Sequence, residues 1–181
     1  MGKVHVEIDE QLAKMIRAQL VFFVATAPPV SEGNINLSPK GLDTFRILGP
    51  RTVAYVDIIG SGVETIAHLK ENGRIVLMFC AFEGPPRIIR LHGQGHPIET
   101  HSPQFPGLIS QFPHYDATRA IIVVDVTRIS NSCGFGVPLM EYRGQRDHHF
   151  SWVQRKGLDG LTTYKAEKNR RSIDGLPGLA E

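Results

Sequence analysis

The sequence predicts a mainly β fold, a small antiparallel barrel with a few short peripheral helices. About six short apolar or alternating segments are separated by turns rich in Gly and Pro. Few segments have helical periodicity, and helices do not alternate regularly with the strands, which argues against a doubly wound α/β sheet. The length of 181 residues suits a single domain, residues 1–181, with a sizeable core.

The predicted strands are identified by β-branched and aromatic runs or by alternation of apolar and polar residues. They cover residues 20–26, 34–40, 52–58, 74–82, 87–96 and 120–126. Residues 42–48 are ambiguous, and the Gly49-Pro50 turn follows them. Gly93 and Gly95 in the fifth strand indicate a bulge or a close backbone approach.

Two segments are predicted to be helices. Residues 9–19 carry an apolar stripe with Asp9 at the N-cap position. A second helix ends at Gly73, and its start is predicted to be a capping box of Ser61 and Glu64. Residues 97–118 are expected to form a loop with a short helix, while the polar residues 141–181 give no clear prediction.

Composition excludes several classes of protein. A net charge of +2 argues against a general nucleic-acid binder, which needs a concentrated basic surface. The longest apolar runs are too short to span a bilayer, so no membrane association is expected. The charged N-terminus lacks an apolar signal core, which predicts a cytoplasmic protein. Cys80 and Cys133 form no Cys-x-x-Cys motif and are expected to stay reduced.

Common catalytic and metal motifs are missing from the sequence. There is no Gly-x-Gly-x-x-Gly, no phosphate-binding P-loop, no His-Glu-x-x-His and no Gly-x-Ser-x-Gly. His92 and His96 would lie about 13 Å apart along a strand, too far to share one zinc ion unless the strand is bulged. His148 and His149 diverge on an extended chain. No metal site is therefore predicted.

The strand around residues 34–40 has an unusual polar face. Asn34, Asn36, Ser38 and Lys40 share one side, and Gly41 then permits an abrupt turn. These short hydrogen-bonding groups suit a ligand with neutral polar atoms and an anionic end. A Ser–Lys nucleophile pair is the less favoured alternative, because no oxyanion hole is evident. A plain hairpin strand with a solvated face remains open.

The order of elements after this strand suggests an anion site. Tyr55 and Asp57 lie on the next strand, and a helix start with free N–H groups follows. A phosphate held by Lys40, Ser61 and Thr65 would leave the rest of a ligand along the polar-faced strand. Every helix start offers such N–H groups, so the prediction depends on their combination with Lys40 and the polar-faced strand.

Four short runs occur in a distinctive order along the chain. They are Phe22-Phe23-Val24-Ala25-Thr26, Asn36-Leu37-Ser38-Pro39-Lys40-Gly41, Gly60-Ser61-Gly62-Val63-Glu64-Thr65-Ile66 and Cys133-Gly134-Phe135-Gly136-Val137-Pro138. Together they resemble the uncharacterised branch of the pyridoxamine-phosphate-oxidase-like FMN-binding split barrels. The resemblance implies a six-stranded antiparallel Greek-key split barrel, and a homodimer with FMN in clefts between the subunits.

The resemblance also implies roles for particular residues. Lys40 matches the basic residue at the end of the family's flavin-binding strand. Tyr55 matches a position near the phosphate on the next strand, and Ser61 matches the Ser that contacts the phosphate. Arg87 matches an Arg contributed by the neighbouring subunit. The expected FMN-binding set is Asn36, Ser38, Pro39, Lys40, Gly41, Tyr55, Asp57, Ser61, Gly62, Thr65, Arg87 and Arg90.

Two departures separate the chain from the true oxidases. Gly62 and Val63 stand where those enzymes carry basic residues, and Trp152 lies outside their C-terminal signature. The resemblance therefore implies an FMN-dependent oxidoreductase with another small-molecule substrate and with unknown catalytic residues. The alternatives are a non-catalytic flavin or haem protein acting as sensor, store or scavenger, and a structural dimer with an empty cleft.

Overall fold

A computed structural model describes residues 2–180 of the chain and contains eight strands and four helices in that range. No helix within residues 2–180 is both long enough and apolar enough to cross a membrane. The elements in chain order are β1 Lys3–His5, α1 Glu10–Arg17, β2 Phe22–Thr26, β3 Asn36–Lys40, β4 Phe45–Gly49, β5 Thr52–Ile58, α2 Glu64–Asn72, β6 Arg74–Cys80, β7 Arg87–Glu99, α3 Phe105–Ile109, β8 Thr118–Cys133 and α4 His148–Lys168.

The strands form one antiparallel sheet in the order β3-β2-β6-β7-β8-β5-β4, with β1 added to β8. A hairpin joins β6 to β7, and β8 pairs with β7 after a connection that contains α3. Strand β5 lies on the other side of β8, which is a Greek-key arrangement. This confirms the predicted class. The predicted six strands become eight, because β1 was not anticipated and the ambiguous residues 42–48 contribute most of β4.

The sheet curls because its two edge strands are neighbours in the chain. A tight turn, residues 41–44, joins β3 to β4, and the N–H of Val56 on β5 donates to the carbonyl of Thr44 at 2.9 Å. Toward the start of β3, helix α2 packs against β2, β6 and β7 and fills the gap in the barrel. The barrel is therefore closed near Lys40 and split near Asn36.

The core lies inside the curl, where alternate residues of β2, β6 and the first part of β7 are buried, while β5 is buried on both faces. The rings of Phe22, Phe45 and Phe79 pack with centroids 5.1–5.6 Å apart at the end nearest α1. Burial of aromatic side chains of this size contributes a large share of the hydrophobic stabilisation. A second apolar cluster outside β5 and β8 packs against α3.

The helix termini test the capping predictions. The Asp9 carboxylate accepts a hydrogen bond from the N–H of Leu12 at 2.8 Å, which confirms Asp9 as the N-cap of α1. The predicted Ser61–Glu64 capping box is wrong: α2 has Val63 at its N-cap and no side-chain cap. Glu64 is instead the first helical residue. Gly73 ends the helix at φ 68°, a left-handed conformation that glycine adopts without strain.

The C-terminal residues contain structure that the sequence did not predict. Helix α4 runs from His148 to Lys168 with a break in helical geometry at Gly157, and Val153 and Leu161 are buried against residues that precede α2 and β8. Residues 169–180, named here the C-terminal strap, then fold back over α2 and bury Leu179 in the main core. Helix α4 has little apolar periodicity in its sequence, because few of its side chains are apolar and buried.

Candidate functional site

Strand β3 turns its polar face toward the interior of the barrel. In the β2–β3 register Lys40 lies opposite Phe22 and Ser38 opposite Val24, and both β2 residues are buried. Directly opposed residues share a face, so Asn36, Ser38 and Lys40 point inward. The predicted alternation of this strand is therefore confirmed.

These inward groups form one side of a polar cluster, named here the polar slot. The other side is Asp57 on β5 and Thr65 in the first turn of α2, which Lys40 and Asn36 contact directly. Among the described strands β3 pairs with β2 alone, so its other edge keeps free backbone N–H and C=O groups beside the slot.

The closed end of the slot contains an ionic triad of Lys40, Asp57 and Arg119. The Lys40 Nζ atom lies 2.9 Å from Asp57 Oδ1, and the Arg119 Nε atom lies 2.8 Å from Asp57 Oδ2. The Asp57 side chain is 0% exposed and that of Arg119 is 5% exposed, whereas Lys40 keeps 20% of its side chain exposed. Lys40 is thus the member of the triad that an incoming ligand can reach.

A β-bulge places Arg119 at Asp57. In the β5–β8 pairing Asp57 lies opposite Ala120 but Ile58 lies opposite Thr118, so Arg119 is the extra residue on β8. Its Nη1 atom also donates to the carbonyl of Gly62 at 2.7 Å. Arg119 therefore connects the strand that holds Asp57 to the loop that leads into α2.

The two cations keep Asp57 ionised. Burial alone would raise the pKa of the Asp57 carboxyl, but the charges of Arg119 and Lys40, with their hydrogen bonds, lower that pKa to about 2. Asp57 is consequently an anion at all ordinary pH values. It organises the two cations and is not available to exchange a proton near neutral pH.

A separate hydrogen-bond network lies next to the triad and runs along β3 to α2. Ser38 donates to the Asn36 amide oxygen at 3.0 Å, and the Asn36 amide nitrogen donates to the hydroxyls of Thr65 at 3.0 Å and Thr26 at 3.1 Å. The Thr26 hydroxyl lies 3.0 Å from Nδ1 of the fully buried His68. Burial lowers the pKa of His68. The network fixes the orientation of the polar side chains along the slot.

Tyr55 lies beneath the triad and is fully buried. The Lys40 Nζ atom lies 5.9 Å from the centre of its ring, and the ring packs edge-on against Phe22. By distance and angle its hydroxyl has no hydrogen-bond partner among residues 2–180, although the Thr65 side chain lies near enough to oppose the rise in its pKa. Burial, followed by the nearby charge of Asp57, raises the pKa of Tyr55 well above its usual value of 10.

Replacement of Tyr55 by Phe is expected to leave stability unchanged or to raise it by up to about 1 kcal/mol. The reason is that the variant no longer buries an unpaired hydroxyl. Urea denaturation of both proteins measures the difference. A loss of more than about 1 kcal/mol would show that the hydroxyl has a partner in the folded protein.

The start of α2 is largely buried, with Val63 0% and Thr65 4% exposed, and it carries negative charge. The first N–H groups of a helix have no partner within the helix, so they are open to an anion. The Glu64 carboxylate, however, folds back over Gly62 and accepts the N–H of Ile173 at 3.2 Å. Ser61 is exposed and does not cap the helix.

The C-terminal strap closes the split end of the slot. The Asp174 carboxylate accepts hydrogen bonds from the backbone N–H of Asn34 at 2.8 Å and from its side-chain amide at 2.6 Å. The Asn169 amide donates to the carbonyl of Gly60 at 3.0 Å. The slot is therefore bounded by cations at the Lys40 end and by carboxylates at the strap end.

The structure brings together part of the predicted FMN-binding set. The residues that meet at the slot are Asn36, Ser38, Lys40, Tyr55, Asp57, Gly62 and Thr65. Pro39 lies on the outer face of β3 and Gly41 in the following turn. Within one chain Arg87 and Arg90 lie elsewhere, near Met15 and Ser132 respectively.

Sequence reasoning missed two residues of this region. Arg119 was overlooked because it precedes an apolar strand, where a single Arg normally marks the solvated start. His68 was overlooked on α2, although its spacing of three from Thr65 places both side chains on one helix face. An isolated Arg in the run from Ala117 to Val126 was the available signal.

A cavity lies apart from the polar slot. It has a volume of about 610 Å³, lies between α1 and β4, and its lining includes Ile16, Phe22, Phe45 and Phe79. It contains none of the predicted FMN-binding residues. Phe22 nevertheless links the two regions, because it forms part of the cavity lining and packs against Tyr55.

Comparison with known proteins finds matches in sequence and in fold. A family profile described as pyridoxamine 5'-phosphate oxidase matches residues 8–133. The chain is 39% identical over 189 residues to the pyridoxamine 5'-phosphate oxidase family protein ustO of Aspergillus flavus, covering 95% of this chain and 76% of that protein.

Two solved structures share the fold at low sequence identity. HupZ of Group A Streptococcus is 20% identical with a TM-score of 0.53, over 67% of this chain and 91% of that one. A candidate pyridoxamine 5'-phosphate oxidase of Lactobacillus delbrueckii is 13% identical with a TM-score of 0.53, over 68% of this chain and 93% of that one. At these identities the two structures support the fold alone.

Proposed function

Because the chain belongs to the pyridoxamine 5'-phosphate oxidase family, we propose that it binds FMN in the polar slot and acts as an oxidoreductase on a small molecule. The observation that carries this proposal is the slot itself. A partly exposed Lys40, an unpaired strand edge and the first turn of α2 lie together at the polar slot. This combination suits a ligand with a phosphate at one end and a planar polar ring.

The slot offers distinct groups to each part of FMN. Lys40 and the first N–H groups of α2 are suited to the phosphate, since a charged donor and a helix start both favour anions. The Thr65 hydroxyl accepts from Asn36 and keeps its own proton for the ligand. Ser38, Asn36 and the free edge of β3 are suited to the ring.

Bound flavin would supply hydride or electron transfer, and the protein would supply binding and orientation. Within the described part of the slot, Asp57 stays ionised and His68 is fully buried. Neither group is placed to exchange a proton with a ligand. The proposed reaction is therefore one in which the substrate needs no protein acid or base close to the ring.

We extend the proposal to a homodimer in which the partner covers the outer face of β3. Ile35 and Leu37 next to the slot are exposed apolar residues, and Phe23 and Met78 beside them are half-buried. Arg87 would reach the flavin from the partner, as the resemblance implies, with Arg90 nearby. The cytoplasmic location inferred from the N-terminal sequence remains a prediction.

A flavin-holding protein without catalysis is the second candidate. The absence of a proton-exchanging group in the described slot favours it, since a store or sensor needs none. A haem site stays a prediction without structural support, because His96 is exposed beside Asp125 and His92 lies on the outer side of β7. Reduction of bound flavin by nicotinamide donors would separate the oxidoreductase from the store.

Replacement of Lys40 by Met is expected to weaken FMN binding by about 1–3 kcal/mol, which corresponds to about a 5- to 150-fold increase in Kd. The variant loses a charged hydrogen-bond donor while the aliphatic stem is kept. Titration of the purified protein with FMN, followed by flavin fluorescence, measures the change.

The matched control is Lys3→Met, which removes the same charge from the exposed strand β1. Its FMN affinity should equal that of the wild type. Failure of the wild-type protein to bind micromolar FMN would refute the proposed function, while unchanged affinity of Lys40→Met would remove Lys40 from the site. Sedimentation that shows monomers alone would refute the shared cleft.

A further inference from the structure

We propose that Arg119 is a positioning residue that frees Lys40 to bind the ligand phosphate. This inference rests on the proposed FMN site and assigns a role to a residue that lies behind the slot. Arg119 would act by occupying one oxygen of Asp57 and by adding the charge that gives the triad a net positive value.

The geometry of Asp57 is the first support. Its Oδ2 atom is bound to Arg119 at 2.8 Å and its Oδ1 atom to Lys40 at 2.9 Å, so Arg119 prevents Asp57 from binding Lys40 through both oxygens. Without Arg119, the buried carboxylate would depend on Lys40 alone for compensation. The ammonium group would then be drawn away from the ligand.

The charge of the triad is the second support. Lys40 and Arg119 carry one positive charge each and Asp57 one negative charge, which leaves a net charge of +1. Loss of Arg119 would reduce this charge to zero. The guanidinium also binds the carbonyl of Gly62, at the point in the chain where the basic residues of the true oxidases are missing.

The two arginines of the C-terminal strap are not placed for this role. Arg170 donates to the carbonyl of Ala180 and Arg171 to that of Gly175, so both are engaged inside the C-terminal strap. Glu64 and Asp174 add negative charge near the opposite end of the slot. Because these groups stay the same in variants of the triad, such variants isolate the contribution of the triad to FMN affinity.

The test uses four variants of the full-length protein that set the charge of the triad. Asp57→Asn gives +2, wild type gives +1, Arg119→Met gives zero, and the double variant Asp57→Asn/Arg119→Met restores +1. Arg119→Lys keeps the charge at +1. Each protein is titrated with FMN and with riboflavin, which has the same ring but no phosphate. The measured quantity is the ratio of the riboflavin Kd to the FMN Kd.

We expect Arg119→Met to reduce this ratio by about tenfold or more, with the riboflavin Kd within about twofold of wild type. The double variant and Arg119→Lys should recover most of the ratio. Arg46→Met is the matched control, because Arg46 also pairs with a carboxylate, that of Asp43, but lies outside the slot. Its ratio should not change.

An unchanged ratio in Arg119→Met, or a ratio in the double variant as low as in Arg119→Met, would overturn the inference. An equal loss of affinity for FMN and for riboflavin would show that Arg119 has only a structural role. If Arg119→Met does not fold, Asp57→Asn is compared with the double variant, because these two proteins also differ only by the charge of Arg119. An equal ratio of riboflavin Kd to FMN Kd in these two proteins refutes the role of Arg119. Wild type that binds both flavins equally overturns this inference alone, whereas wild type that binds neither overturns the proposed function as well.

Discussion

Replacement of Asp57 by Asn is expected to destabilise the protein by about 3–5 kcal/mol, because it leaves two cations in the barrel without their shared anion. Asp57 is completely buried, and both of its oxygens are bound to charged donors. The uncharged amide keeps the size of the side chain, so the loss of stability is caused by the missing charge and not by a cavity. Urea denaturation at neutral pH gives the free energy of unfolding.

Acid unfolding provides a second measurement of the same group. The pKa of Asp57 is about 2 in the folded protein, below its usual value of 3.8. A lowered pKa stabilises the fold above the unfolded-state value, and this stabilisation, about 2 kcal/mol, is lost as the pH falls from about 4 to about 2. The stability difference between wild type and Asp57→Asn should therefore narrow across this interval.

The matched control for Asp57→Asn is Asp125→Asn. Asp125 also has a partner, His96 at 3.2 Å, but its side chain is 63% exposed. Exposed pairs of this kind contribute little, so the control should change stability by less than about 1 kcal/mol. Equal effects of the two substitutions would contradict the importance assigned to the buried triad.

Replacement of Leu179 by Ala is expected to destabilise the protein by about 2–4 kcal/mol, because the side chain is deleted from the main core. Leu179 is 5% exposed and lies in the same cluster as the strand residues. The C-terminal strap would thereby lose its apolar attachment. Urea denaturation measures the loss of stability, and hydrogen exchange at the Ile173 N–H should become faster as the strap loosens.

Ile173→Ala is the control within the same strap. The Ile173 side chain is 71% exposed, while its backbone N–H bond to Glu64 does not depend on the side chain. A change within about 0.5 kcal/mol is expected. If Leu179→Ala changed stability as little as this control, the strap would be a surface segment that is not anchored in the core.

Much of the fold could be predicted from local patterns. The alternation from Asn36 to Lys40 identified β3 and its inward face, and the apolar run from Ala120 to Val126 identified the centre of β8. These patterns succeed because a strand with one buried face must alternate. Helix α4 was missed because most of its surface is exposed, so its sequence carries little apolar periodicity.

The family prediction is confirmed by the sequence matches, whereas the predicted site residues stay a prediction. The Ser61–Glu64 capping box failed because Glu64 forms a hydrogen bond with Ile173, a residue 109 positions away in the chain. Local sequence cannot reveal such a competitor. The same reason explains why no role had been assigned to Arg119.

The sequence by itself determined the barrel class, the family and the polar face of β3, because these depend on side-chain order within short segments. The tertiary structure alone decided that Lys40 shares Asp57 with Arg119. That arrangement depends on one extra residue in β8, which turns a side chain from an expected surface position into the barrel. The polar-faced strand is thus encoded locally, but the charge it presents to a ligand is set by residues 17 and 79 positions further along the chain.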